Sequence, residues 1–393
     1  MGNLQTRQNI SDIAGRKEKN ERKYFVDNIR WLWILLLVPF HAAMAWSCFE
    51  GNYIWFGENK VLSSLVVFIS PWFMPMLFVL AGMSANFALR KRSYRQYMGE
   101  RVRKLLLPLL SGVLTVVAFM TYIADKFHNH YQGNFWEHYS VFFTKLTDLT
   151  GYDGYLTPGH LWFLLFLFLI SAISLPVTGL QRKWKPSFSM GNLPAALFPV
   201  LLLFPLILTP VLNFGGKSIG QDFALFLLGF YVFSEDGVLE KLTRYCGIYL
   251  VLMVLSDVAL NILFVWRGQH TGIMVTACNV LASWFGILGF LGLFRSKFDQ
   301  NNSFTRYMRS QSFLIYIFHF GWLVIVQYYL GKTTWNTGII FAASVFLTYV
   351  LTFLTCEIVQ RTPGIRYLFG ATSGCRLHQK RTPQMVEDRS SYL

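Results

Sequence analysis

Residues 24–41 read Tyr24-Phe-Val-Asp27-Asn-Ile-Arg30-Trp-Leu-Trp-Ile-Leu-Leu-Leu-Val-Pro39-Phe-His41. Beyond Arg30 the only ionisable group in this stretch is one imidazole, and the apolar run continues into Ala42, Ala43 and Met44. About 20 such residues suffice for a helix to cross the hydrocarbon core of a bilayer. Comparable runs recur at about 29–49, 61–87, 105–124, 160–180, 193–212, 218–234, 244–265, 272–294, 311–331 and 335–359. The chain therefore reads as an all-α, polytopic integral membrane protein with about ten transmembrane helices. Its weakest spans are 193–212, which carries Pro194, Pro199, Pro205 and Pro210, and the short 218–234. Prolines are tolerated in membrane helices when neighbours satisfy the freed backbone groups, so both are kept. Composition agrees: 54% of residues are hydrophobic and only 14% charged, where a soluble domain carries about a quarter charged.

The formal net charge of +15 raises the question of nucleic acid until the basic residues are placed on this topology. With both termini cytoplasmic, 29 of the 35 Lys and Arg fall in inside segments, and only Lys60, Lys126, Lys145, Lys217, Arg267 and Lys332 fall outside. That asymmetry is the positive-inside rule, so the charge reads as topology. No nucleic-acid partner is needed. The expected location is a cell membrane, the bacterial inner or cytoplasmic membrane, with the lipid bilayer as the main partner.

A polar cytoplasmic tail (1–23), a transmembrane domain (24–370) and a second cytoplasmic tail (371–393) describe the organisation. Acids in the region before the first span, and His41 within it, argue against a cleaved leader. The five cysteines are scattered and odd in number, so they form no disulfide framework or metal spacing. An outside loop at 125–159 is rich in aromatics and includes His128, His130 and His138. It reads either as a lid over a site or as an interfacial aromatic belt. The inside segment 88–104 has seven basic residues against one acid. It is either a topology anchor or a receiver for an anionic, phosphate-bearing ligand, with Arg90, Lys91, Arg101 and Arg103 as the candidate contacts.

Ionisable groups at membrane depth are costly, and each is a functional hypothesis. At about 100° per residue, the eleven steps from Arg30 to His41 end ~20° beyond three full turns. Asp27 lies within about 40° of the same line, so Asp27, Arg30 and His41 share one stripe. Asp27 and Arg30 also suit a helix-end anchor, whereas His41 sits deeper, where an imidazole can serve as a general base. A packing histidine is the alternative. Ser312, Tyr316 and His319 form one face of the ninth span, either an interhelical bonding set or part of a site. His160 and Trp162 open the fourth span, where an interfacial anchor explains them adequately, and both are kept as polar site candidates beside Asp27 and Tyr316. Asp222 and Glu357 lie near helix ends, and Asp257 needs a partner.

Tyr24-Phe-Val-Asp27-Asn-Ile-Arg30 followed by His41 resembles the first-helix signature of the acyltransferase-3 family of membrane acyltransferases. Pro75-Met-Leu-Phe78-Val-Leu-Ala-Gly82 is similar to its second-helix motif, with Ala81 where serine is common. Arg101-Val-Arg103-Lys-Leu-Leu-Leu-Pro108, His160-Leu-Trp162-Phe-Leu and Tyr316-Ile-Phe-His319 resemble later signatures. The glucan biosynthesis branch is the most similar. The resemblance implies transfer of an acyl group from cytoplasmic acyl-coenzyme A, a co-substrate, to a carbohydrate hydroxyl across the membrane. It implies no cofactor and no metal. His41 would be the catalytic base, Arg30 would bind or position the donor, and His319 would be a further catalytic candidate. The family's basic triplet is only approximated, since Arg90-Lys91 is followed by Arg101 after nine residues. A transporter or flippase for an anionic or sugar-containing solute is the alternative. Matched inverted repeats would favour it, and the sequence has none.

Overall fold

A computed structural model describes residues 23–371 apart from 50–51, 148, 150–153, 184–189 and 215. The expected polar tails, Cys375 and Tyr152 lie outside the described residues. In chain order, α1 (Tyr24–Met44), α2 (Lys60–Leu89) and α3 (Tyr94–His128) precede the short α4 (Phe135–Phe142). A 3-10 turn at Gly159–Leu161 opens α5 (Trp162–Lys183), followed by α6 (Leu203–Leu208) and α7 (Ile219–Tyr231). The last five are α8 (Asp236–Asn261, continued by a π-helical segment Ile262–Trp266), α9 (Ile273–Lys297), α10 (Ser303–Leu330), α11 (Thr337–Arg361) and α12 (Pro363–Leu368). Strand among the described residues is limited to a hairpin pairing Asn213–Phe214 with Lys217–Ser218.

Among the described residues, α1, α2, α3, α5, α8, α9, α10 and α11 are long and apolar enough to cross a membrane. The all-α polytopic reading is borne out. Two of the ten anticipated spans are the ones that come out short. At 193–212, proline removes backbone N–H groups at Pro194, Pro199 and Pro205, and the segment breaks into 3-10 turns before the six-residue α6. Helix α7 has 13 residues, about 20 Å of rise against a core of about 30 Å. It is nevertheless held tightly. A Cβ on Gly82 would stand 1.9 Å from the Phe226 carbonyl oxygen, and one on Gly229 2.1 Å from that of Val79. The backbones of α2 and α7 cross where only glycine fits.

The third span starts earlier than its apolar run. Ser93 and Gln96 form a capping box, so helix begins at Tyr94 and the basic segment from there to Lys104 is about three helical turns rather than a loop. Two π-helical segments, Val102–Leu106 and Val113–Val117, interrupt α3. Such bulges re-aim side chains and often mark functional sites.

Helix α1 is fixed at both ends. The Phe25 N–H donates to Asp299 at 2.7 Å, and the Asn28 amide donates to the Phe298 and Gln300 carbonyls. Pro39 has no N–H for the Leu35 carbonyl one turn earlier. The Tyr349 hydroxyl of α11 donates to that carbonyl instead, at 2.7 Å.

Candidate active site

Near the N-terminal end of α1, a cavity of about 480 Å³ opens between α1, α2, α3, α5 and α10. Arg30, Arg92, Arg101, Lys104 and Arg309 give its wall a strongly basic mouth, and Ile34, Leu77, Leu164 and Leu314 make the remainder apolar. Arg30 is held by two contacts: Nη1 lies 3.1 Å from Asp27 Oδ1, and Nη2 donates to Ser84 Oγ at 2.8 Å. Glu100, the one acid of the basic segment, pairs with Arg92 at 2.8 Å and Lys104 at 3.6 Å. Arg101 forms no ion pair with any described residue. Its guanidinium lies over the Tyr97 ring, 4.5 Å from the centroid, and its buried Nε has no hydrogen-bond partner. Of the four donor-contact candidates, Arg101 alone lines this cavity. Arg90 and Lys91 are exposed, and Arg103 lies over Tyr367.

Tyr316 forms part of the cavity wall and is 5% exposed. Its hydroxyl donates to the His160 carbonyl at 2.6 Å, which leads to a buried histidine cluster. There His41, His160 and His319 come together from α1, the turn before α5, and α10. The His41 and His319 ring centroids are 5.5 Å apart, and those of His160 and His319 5.6 Å. Phe320 stacks on His41 at 4.3 Å and meets the edge of His160 at 5.5 Å, closing one side of the trio. His319 is fully buried and His160 nearly so. His160 is therefore not the interfacial anchor its position suggested. Gly159, at φ +55°, turns the chain just before it, and a Cβ there would press on the Tyr53 hydroxyl and Val117.

Trp162 lies over the cation of Lys217 and edge-on to Phe166, outside the trio. Ser312 lines the cavity, so the predicted Ser312–Tyr316–His319 face runs from the cavity to the trio. Glu357 is engaged by Tyr307, Gln311 and Arg361 rather than by water alone. Asp257 is fully buried on α8 with neither carboxylate oxygen hydrogen-bonded, and it is absent from the cavity wall. Among the described residues, no group of three or more His, Cys, Asp or Glu is placed to hold a metal ion.

Sequence reading missed Ser84, Arg92, Lys104, Arg309 and Phe320. Ser84 had a usable signal, since it is a hydroxyl on an otherwise apolar helix. The others depend on how α3 and α10 turn relative to α1, which spacing along one helix does not reveal.

Known proteins resemble the chain at two levels. Glucans biosynthesis protein C from Salmonella schwarzengrund (strain CVM19633), Salmonella typhi and Salmonella typhimurium is in each case 26% identical over 172 residues. That is 42% of this chain, and the chain spans 42% of the length of each relative. No solved structure matches. The acyltransferase domain family matches residues 23–357, from the start of α1 through most of α11, and the protein belongs to this acyltransferase-3 family.

Proposed function

We propose that the protein transfers an acyl group from acyl-coenzyme A, bound in the basic cavity, to a carbohydrate hydroxyl presented on the far side of the membrane. The observation that carries this reading is the adjacency of the cavity and the histidine cluster through Tyr316. A phosphate-attracting cavity and a set of imidazoles share one wall residue. Family membership supports acyl transfer, and the partial likeness to glucans biosynthesis protein C supports a glycan acceptor.

In this reading Arg30, Arg101, Arg92, Lys104 and Arg309 meet the donor's phosphates. Guanidinium groups suit this because their forked donors match phosphate oxygens. Arg101, with no carboxylate to leave, is the most available. The pantetheine arm then lies along Ile34, Leu77 and Leu314. His41 stands seven residues beyond Ile34 on α1, about 10 Å further along the helix. The thioester therefore passes Tyr316 to reach it. An alcohol is a weak nucleophile at neutral pH, and His41 removes its proton as it attacks the thioester carbon.

Two experiments test this. Purified protein in nanodiscs is assayed separately for acyl-coenzyme A binding and for acyl transfer to a glucan, and surface glycans with and without the gene are compared by mass spectrometry. Retained acyl groups in the absence of the gene, together with no donor binding, would overturn the reading. Single-cysteine labelling from outside tests the orientation: it should tag 125–147 and spare 88–104. The reverse pattern would exchange the donor and acceptor sides.

A further inference from the structure

The reading above gives the proton to His41 alone, yet its two neighbours are arranged in a way that packing does not require. Nδ1 of His319 lies 2.9 Å from the carbonyl oxygens of both Ile315 and Tyr316. A carbonyl only accepts, so Nδ1 carries the hydrogen and the neutral ring has a bare lone pair on Nε2. That Nε2 is buried and meets no hydrogen-bond partner. His160 has the opposite arrangement. Its Nε2 lies 3.0 Å from the Ile317 carbonyl and carries the hydrogen, while its buried Nδ1 is bare and unpartnered. Three successive carbonyls of α10 thus hold two imidazoles from different helices in opposite tautomers. Nδ1 of His41 is also buried without a partner. Leaving a buried acceptor unpaired is costly, and here three such nitrogens are gathered in one cluster.

We propose that His160 and His319 are positioning residues that act through His41, receiving the proton it takes from the acceptor hydroxyl and returning it to the donor side. This rests on the reading of His41 as the base. As the hydroxyl oxygen bonds to the thioester carbon, its proton moves to His41. The tetrahedral centre then collapses, the carbon–sulfur bond breaks, and its electron pair leaves on sulfur. The proton passes from His41 to Nε2 of His319 and on to Nδ1 of His160, and the coenzyme A thiolate takes it up as a thiol. One proton leaves oxygen and one arrives at sulfur, so no further reactant is consumed. The geometry behind the route is the pair of ring separations, 5.5 and 5.6 Å between centroids, and Tyr316, which bonds the His160 backbone carbonyl and lines the donor cavity. Among the described residues no carboxylate is in ring contact with the trio or hydrogen-bonded to it. The ionisable side chains in ring contact with the trio are the three histidines themselves, Tyr53 against Phe320, and Tyr316.

Two near-isosteric variants separate a proton-carrying role from a structural one. His319→Asn keeps an N–H donor where Nδ1 sits, and His160→Gln keeps one where Nε2 sits, but neither side chain can take up a proton. Both should insert and bind acyl-coenzyme A as wild type does, while transfer falls about 100-fold or more. Wild-type transfer by both would reduce the pair to a structural bracket and overturn the proposal. Nitrogen-15 NMR of histidine-labelled protein supplies a readout independent of activity: His319 should be protonated at Nδ1 and His160 at Nε2. The reverse tautomers would equally overturn it. His41→Ala distinguishes the two levels of argument. If it transfers normally, the underlying reading of the base fails. If it is inactive while His319→Asn and His160→Gln are fully active, only this inference fails.

Discussion

The cavity and the histidine trio are neighbours, yet they handle polarity in opposite ways. In the cavity, charge is plentiful and is held in place by charge: Asp27 holds Arg30, and Glu100 holds Arg92 and Lys104. At the trio no carboxylate stands among the described residues in contact, and two of the rings, His160 and His319, are oriented by backbone carbonyls of α10. The difference follows from depth. Near a helix end guanidinium groups keep much of their hydration, so binding an anion there requires little desolvation. Deeper in the bundle a permanent charge is expensive, and a fixed carboxylate beside an imidazole would favour a standing ion pair. A neutral ring held by a carbonyl is oriented at no such cost and is still able to accept a proton. On the proposed function, recognition falls to charge and chemistry to neutral, pre-oriented groups.

The sharpest way to break this division is His41→Ala. Loss of a general base costs about 10² to 10⁴ in rate, and the cavity residues are untouched. The variant should bind acyl-coenzyme A with wild-type affinity and hardly transfer its acyl group. Donor affinity falling in parallel with transfer would show that the cavity and the cluster are one site. The reciprocal experiment is smaller in effect. Arg101→Ala removes a charge-assisted contact of about 1.5–3 kcal/mol, a loss of about 10- to 150-fold in donor affinity. The loss should shrink as salt rises, because phosphate contacts at a solvent-reaching mouth are screened. Arg90→Ala, Lys91→Ala and Arg103→Ala, all outside the cavity wall, should bind the donor nearly normally. Equal losses from all four would return the recognition role to the whole basic segment.

That contrast also marks what the sequence could and could not disclose. The placement of Arg30 and His41 on one helix was legible, because periodicity converts spacing along a helix into a shared face. The membrane class was legible from hydrophobic runs, and the shortness of two spans was foreshadowed by four prolines and a brief apolar run. The burial of His160 was not legible because it is set by other elements: the left-handed Gly159 and the Ile317 carbonyl of α10 turn it inward. Among the four basic candidates, the side chains that face the cavity depend on where α3 begins and on its first π-helical segment. Neither feature has a hydropathy signature.

A third test concerns the scaffold between the cavity and the cluster. His41 follows Pro39 by two residues, and the proline's orphaned Leu35 carbonyl is bonded by Tyr349. Tyr349→Phe leaves that carbonyl without its partner, a loss of about 1–3 kcal/mol. The expected outcome is a lower thermal midpoint in detergent, with transfer reduced more than donor binding because Leu35 lies between Arg30 and His41 on α1. An unchanged midpoint would mean that water or local helix adjustment satisfies Leu35 equally well.

The smallest effect is expected at a fourth histidine, outside the membrane spans, which sharpens the comparison by supplying the carboxylate the trio lacks. His138 on α4 is 1% exposed, lies between the Tyr122 and Tyr131 rings, and has Nε2 3.6 Å from Asp125 Oδ2. Burial depresses its affinity for a proton below the ordinary imidazole value, and Asp125 offsets that only in part. The folded state therefore binds a proton less readily than the unfolded chain does. Above the unfolded value of about 6.5 both states hold a neutral ring, and the contribution of His138 to stability is complete. As the pH falls through that value toward the depressed folded one, the unfolded chain takes up the proton first and stability declines. Wild type should accordingly lose more of its detergent thermal midpoint between pH 7.5 and pH 5 than His138→Phe does. A difference between the two that stays constant across that range would mean that Asp125 compensates the burial fully. A single carboxylate at 3.6 Å would then be enough to offset the burial of the His138 imidazole.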